Sequence, residues 1–167
     1  MFLARADKTE IDIHKKRINL QHILSEVVDF YAPLCKDRHL SIRTQLKGWV
    51  HADPDLFRRA VHNVVSNAVK ATPDYGEIVL KSQPADKRST QIEIIDTGPG
   101  IPQKDMPHIF DRFYRADASR TGDDSGTGLG LSIVKTIMEL HEGDVIIDSQ
   151  PGQGTKVQLS FPVNGNS

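Results

Sequence analysis

The segment Arg58-Arg-Ala-Val-His-Asn-Val-Val-Ser-Asn-Ala-Val-Lys70 constrains the fold of this chain more than any other. On a helix at roughly 100° per residue, Phe57, Ala60, Val61, Val64, Val65 and Ala68 gather on one side. Arg59, Asn63, Asn67 and Lys70 form a narrow polar stripe on the other. A solvated face accounts for most such stripes. Here two asparagines stand mid-helix, where Asn competes with the backbone for hydrogen bonds and lowers helix propensity. Glu, Lys or Gln would solubilise the same face at less cost. An amide oxygen is a hard neutral ligand suited to Mg²⁺, and a lysine one turn on can reach a phosphate.

The rest of the chain supplies a core for that helix. Its 167 residues suit one domain. Apolar content of 38 % and charged content of 26 % are those of an ordinary globular protein. A net charge of −1 argues against a general nucleic-acid or acidic-lipid surface, so an anion site must be local. Cys35 is the only cysteine and forms no internal disulfide. No apolar run approaches the ~20 residues of a membrane span, and the start lacks a signal-peptide pattern. A cytoplasmic fragment without direct membrane contact is expected.

In chain order, Ile11, Ile13 and Ile18 frame a short extended segment. Asn19 then caps a helix with Leu20, Ile23, Leu24, Val27, Val28 and Tyr31 at helical spacing. Residues 40–46 alternate as a half-buried strand. Asp53-Pro54 opens the central helix, which must stop near Thr72-Pro73. Strands are expected over 78–82, 91–95, 145–147 and 156–161, with the turn 150–155 joining the last two. Leu131, Ile133, Val134, Ile137, Met138 and Leu140 mark a third helix. The expected fold is α/β, a two-layer sandwich of a mixed, mostly antiparallel sheet with helices on one face.

Asp96 ends a strand and precedes Gly98, Gly100 and Ile101. An Asp-initiated turn explains a single match of this kind. The alternative is that the glycines let the backbone approach a flat ligand, while the acceptor-only carboxylate takes a hydrogen bond from the exocyclic amine of adenine. Guanine presents a carbonyl there, so ATP is expected over GTP. Gly126-Thr127-Gly128-Leu129-Gly130 at a helix start exposes N–H groups to an anion. Glycine runs also serve as hinges, and this one lacks the Lys-Ser/Thr of a Walker A loop.

Residues 102–125 form a long connection of the kind used for lids and binding loops. Within it Phe110 and Phe113 suit either a short amphipathic turn closing the core or an aromatic lid anchor. Arg112, Arg115 and Arg120 are interspersed with Asp111, Asp117, Asp123 and Asp124, so most of this charge is solvated. One arginine can swing onto a terminal phosphate. The residues leave open which, and Arg115 joins Asn63 and Lys70 as the catalytic candidates.

In this order the motifs resemble the ATP-binding catalytic domain of bacterial sensor histidine kinases, in the GHKL superfamily. Asn63 to Lys70 is similar to its N box, Asp96 to Gly100 to its G1 box and Phe110 to Phe113 to its F box. Gly126 to Gly130 is similar to its G2 box, and Gly152-Gln-Gly-Thr155 to its closing motif. The resemblance implies a Bergerat sandwich over 9–163, with 1–8 a remnant of the preceding dimerisation helix and 164–167 a tail. It implies Asn67 on Mg²⁺, Asn63 and Lys70 near the phosphates, and Asp96 on adenine.

The partners it implies are a dimerisation domain carrying the phosphoacceptor histidine and a cognate response regulator. Two departures bear on affinity: Ala71 stands where the family often has an aromatic, and Thr97 where it commonly has Asn. ATPases of the superfamily place a general-base glutamate where Asn63 stands, and an amide cannot take the proton. Residues 1–7 and 113–120 are also similar to heavy-metal-responsive sensor kinases.

No histidine here fits a phosphoacceptor helix. His141-Glu142 imitates its first pair, but Gly143 follows, and a histidine favoured by a helix C-terminus explains it. Two rivals remain: an anti-sigma-factor-type serine kinase with the same fold, and a nucleotide-dead module docking a response regulator.

Overall fold

The computed structural model describes residues 12–84, 89–115 and 127–163. The expected N-terminal remnant and C-terminal tail, together with Gly126 and Arg120, lie outside the described residues.

The elements are β1 (Lys16–Asn19), α1 (Leu20–Asp37), β2 (Ser41–Gln45), β3 (Trp49–Ala52) and α2 (Pro54–Ala71). They continue as β4 (Glu77–Pro84), β5 (Ser89–Asp96), α3 (Gly130–Leu140), β6 (Asp144–Ser149) and β7 (Thr155–Pro162). Five strands form one sheet in the order β2-β4-β5-β7-β6. β2 runs parallel to β4, and the other three pairings are antiparallel. The mixed, mostly antiparallel sheet expected from sequence is the one observed.

Alternation decides which sheet face is covered. Ile78 and Leu80, Ile92 and Ile94, and Val157, Leu159 and Phe161 are all buried and stand on one face. Against them α2 lays Phe57, Val61, Val64, Val65 and Ala68. Phe57 and Phe161 meet with ring centroids 5.3 Å apart.

Local chemistry sets the helix ends. The Asn19 side chain accepts from the His22 N–H, and Asp53 accepts from the N–H groups of Asp55 and Leu56 ahead of Pro54. α2 stops at Ala71, where Thr72 caps it and its hydroxyl donates to the Ala68 carbonyl at 2.6 Å. α1 runs on through Pro33 to Asp37.

One feature differs from expectation. β1 pairs antiparallel with β3 in a separate two-stranded sheet, although Trp49–Ala52 carries no clear strand pattern. Tertiary anchors supply what the pattern lacks: Thr90 donates to the Trp49 carbonyl, and the Arg17 guanidinium lies 4.5 Å from the Trp49 ring centroid. The half-buried alternation expected over 40–46 is present: Leu40 is buried and Ile42 and Leu46 pack partly covered against the core, while Ser41, Arg43 and Gln45 are exposed on β2. It is an edge strand.

Candidate nucleotide site

α2 and α3 lie on the same side of the sheet, and a cavity of about 120 Å³ opens between them. Apolar side chains dominate its wall, among them Val64, Ile94, Ile147 and Val157. Of the sequence-predicted residues, Asn67, Asp96, Gly100, Ile101 and Thr155 line it. They come from one helix, the end of β5, the loop after it and the start of β7.

Asp96 is only 6 % exposed. Burial pushes its carboxyl above the ordinary carboxylate range, and the N–H groups of Gly98 and Thr155 pull in the opposite direction. The Gly98 N–H donates at 2.8 Å. Two backbone donors thus hold the carboxylate in place at the base of the cavity. Gly100 has φ +74, and a Cβ there would collide with the carbonyl oxygen of Gln150. Only glycine fits.

The loop after Asp96 is tied to the far end of the sheet. Ser149 Oγ accepts from the Ile101 N–H at 2.8 Å and donates to the Gly154 carbonyl at 3.0 Å. It also lies 2.9 Å from Thr155 Oγ1. Ser149 carries no motif of its own, and only the β6–β7 register, which sets it opposite Thr155, could have revealed it. Thr97 does not line the cavity, and its hydroxyl exchanges hydrogen bonds with the backbone of Glu77.

The polar stripe of α2 meets the start of α3. A Cβ on Gly130 would stand 3.5 Å from Asn63 Oδ1 and 3.8 Å from the Asn67 amide. The Asn63 amide nitrogen donates back to the Arg59 carbonyl, which leaves its oxygen facing Gly130. Leu129 at the N-cap of α3 makes no side-chain capping hydrogen bond, and a helix start of this kind offers N–H groups to an anion.

Among the described residues no cluster of His, Cys, Asp or Glu could hold a metal on its own. An amide oxygen beside a phosphate site fits Mg²⁺, which takes one or two protein ligands plus phosphates and water.

Several predicted residues do not line the cavity. Lys70 is exposed, and Arg115 is partly buried. Phe113 is 73 % exposed, so the reading of residues 109–115 as a turn closing the core fails for it. Phe110 is partly buried, with the Lys135 ammonium 5.7 Å from its ring centroid. Gly128 has φ +69, and the Phe113 N–H donates to its carbonyl at 2.9 Å, which joins the aromatic segment to the glycine run. Leu129 precedes α3 at its N-cap, and Thr127 is exposed.

His141 ends α3, but not as a charged ring favoured by the dipole. Its Nδ1 donates to the Ile137 carbonyl at 2.7 Å, while Nε2 accepts from the Asp53 N–H at 2.9 Å. Accepting there requires the neutral ring. Burial depresses its pKa, chiefly through desolvation.

Residues 52–165 match the family model described as histidine kinase-, DNA gyrase B- and HSP90-like ATPase. The chain belongs to this family. It is 38 % identical over 165 residues to the sensor histidine kinase CusS of Escherichia coli, covering 97 % of this chain and 34 % of that protein. It is 37 % identical to the sensor protein CzcS of Cupriavidus metallidurans, covering 99 % and 34 %. The chain therefore spans about a third of the length of these relatives, and the family's ATPase module is the part it carries.

The catalytic domain of histidine kinase ThkA shares the fold, with a TM-score of 0.78 at 24 % identity over 90 % of this chain and 96 % of that one. Full-length ShkA, solved in complex with AMPPNP, gives a TM-score of 0.84 at 24 % identity over 98 % and 34 %.

Proposed function

We propose that this chain is the ATP-binding catalytic module of a two-component sensor histidine kinase, presenting Mg·ATP for γ-phosphoryl transfer to a histidine on a separate dimerisation domain. The observation that carries the reading is convergence. Asn67 of α2 and the carboxylate ending β5 line one apolar-walled space, and the Asn63 and Asn67 amides stand beside the glycine start of α3.

In this reading Asp96 accepts from the exocyclic amine of adenine, with Gly98, Gly100, Ile101 and Thr155 shaping the purine end. Asn67 ligates Mg²⁺, which when bound neutralises phosphate charge. Asn63 and Lys70 hold the phosphates against the N–H groups of Thr127 to Gly130, and Arg115 approaches the terminal phosphate. Phe110 and Phe113 flank the phosphate end, Phe113 through its bond to Gly128. Because Asn63 is an amide, water is not activated, and the reaction rests on positioning and charge stabilisation.

The dimerisation domain and a cognate response regulator are the proposed partners; ThkA has been solved in complex with the response regulator TrrA. Similarity to CusS and CzcS supports the heavy-metal subgroup. A cytoplasmic setting beneath a membrane-anchored parent is proposed, and among the described residues no helix is long and apolar enough to cross a membrane.

The test is a titration of Mg·ATP against Mg·GTP, followed by transfer to a supplied histidine-bearing helical hairpin. Preferential ATP binding and labelling of the hairpin are expected, without strong labelling of the chain itself. Labelling of a serine on a small partner instead would overturn the histidine assignment. Asn67→Ala should abolish Mg²⁺-dependent ATP binding while leaving the thermal transition intact, and unchanged binding would remove its role.

A further inference from the structure

We infer that Asp105 and Tyr114 form a brace that sets the phosphate end of the nucleotide site relative to its purine end, and so act as positioning residues for the triphosphate. The inference rests on the reading of the glycine run as the phosphate cradle.

Between Pro102 and Tyr114 the backbone advances by successive turns. Asp105 N–H donates to the Pro102 carbonyl, His108 N–H to Asp105, Asp111 N–H to His108 and Tyr114 N–H to Asp111. Alone, such a run of short turns has little to hold its two ends in register, since each bond spans only three residues. The Tyr114 hydroxyl closes it by donating to Asp105 Oδ1 at 2.6 Å. The Tyr114 and His108 rings meet at a tilt of 36° beside this bond, with centroids 5.3 Å apart.

Both ends of the brace lead to the site. At one end, Asp105 is bonded to Pro102, next to Ile101 in the cavity wall, and Ile101 is itself bonded to Ser149. At the other, Tyr114 follows Phe113, whose N–H donates to the Gly128 carbonyl. The fit there is close: a Cβ on Gly128 would stand 2.7 Å from the Phe113 carbonyl carbon and 2.9 Å from the Tyr114 carbonyl oxygen. Any shift of Tyr114 is therefore transmitted to Gly128 and to the start of α3.

The choice of a carboxylate also needs a reason. Asp105 is 3 % exposed, and its Oδ2 has no hydrogen-bond partner among the described residues. Leaving a buried acceptor unpaired is costly, and such groups call for an explanation. The Tyr114 hydroxyl bond at 2.6 Å fixes the side chain that carries this unpaired oxygen, which accounts for keeping it as part of a brace.

The test compares Tyr114→Phe, Asp105→Ala and Asp105→Asn with the unaltered chain, by calorimetric titration with Mg·ATP and separately with adenosine. Tyr114→Phe keeps the ring and its packing while removing the donor. Tyr114→Phe and Asp105→Ala should weaken Mg·ATP by about fivefold or more, the scale of one lost hydrogen bond, with adenosine affinity unchanged. Asp105→Asn, which retains an acceptor oxygen, should recover most of the loss.

Equal loss for both ligands would reduce the pair to general support of the fold and overturn the inference. So would no loss for Mg·ATP in Tyr114→Phe. If the unaltered chain, shown to be folded, fails to bind Mg·ATP, the proposed function falls and the brace with it. Normal binding with unresponsive variants removes the brace alone.

Discussion

In the proposed function, the Asp96 carboxylate carries both a structural and a ligand-binding demand. Burial disfavours its charge, and the N–H groups of Gly98 and Thr155 offset that only in part. Substitution by Asn keeps an acceptor and adds a donor, so Asp96→Asn should narrow the preference for ATP over GTP. Competition binding checks this, and an unchanged ratio would remove Asp96 from purine recognition. Gly100 combines φ +74 with contact against the Gln150 carbonyl. Gly100→Ala should cost about 1–3 kcal/mol of stability, measured by urea unfolding, and should reduce nucleotide affinity as the loop shifts. Asp96 and Gly100 were legible in sequence because their motif is local. Ser149 was not, because a serine at a strand end takes its role from whatever the opposite strand presents.

At the scale of elements, α2 is the best read from sequence: an Asp cap, Pro at the first position, an apolar stripe and a stop before Pro73 are all local signals. Its C-terminal anchor is not local. Arg38, just past α1, donates from Nη1 to the Val69 carbonyl at 2.7 Å and from Nη2 to the Thr72 carbonyl at 2.6 Å. Its Nε pairs with Asp74 at 2.9 Å. A guanidinium thus satisfies the open carbonyls of α2 and complements its dipole. Arg38→Ala should cost about 2–3 kcal/mol in a urea melt, as expected for charged hydrogen bonds to partly buried carbonyls. Arg38→Lys should recover only part, since an ammonium lacks the planar fork. The small β1–β3 sheet and the edge position of β2 were likewise beyond local reading. Pairing partners thirty or more residues apart decide both.

Across the whole molecule, His141 joins the end of α3 to the cap of α2 through the Asp53 N–H. Asp53 in turn accepts from the His14 N–H ahead of β1. Burial holds the His141 pKa below its ordinary value, so the unfolded chain takes up the proton first as the solution is acidified. The stability conferred by the neutral ring is complete above about pH 6.5 and is lost as the pH falls through the folded value. His62, also depressed by burial and by Arg58, acts in the same direction. The urea midpoint should therefore decline from about pH 7.5 to about pH 5.5, before most carboxylates titrate, and His141→Asn should flatten that slope. An equally steep slope in the variant would assign the effect elsewhere.

Helix faces, caps, turn glycines and the order of the boxes are written in short stretches, because periodicity, propensity and φ preference act over a few residues. That was enough for the sheet-and-helix architecture and to single out Asn67, Asp96, Gly100, Ile101 and Thr155, which line the cavity. Which strands pair, which histidine stays neutral, and that Asn63, Asn67 and Gly130 share one space depend on contacts between residues far apart in the chain. Only packing α2 and α3 on the same sheet face brought those groups together.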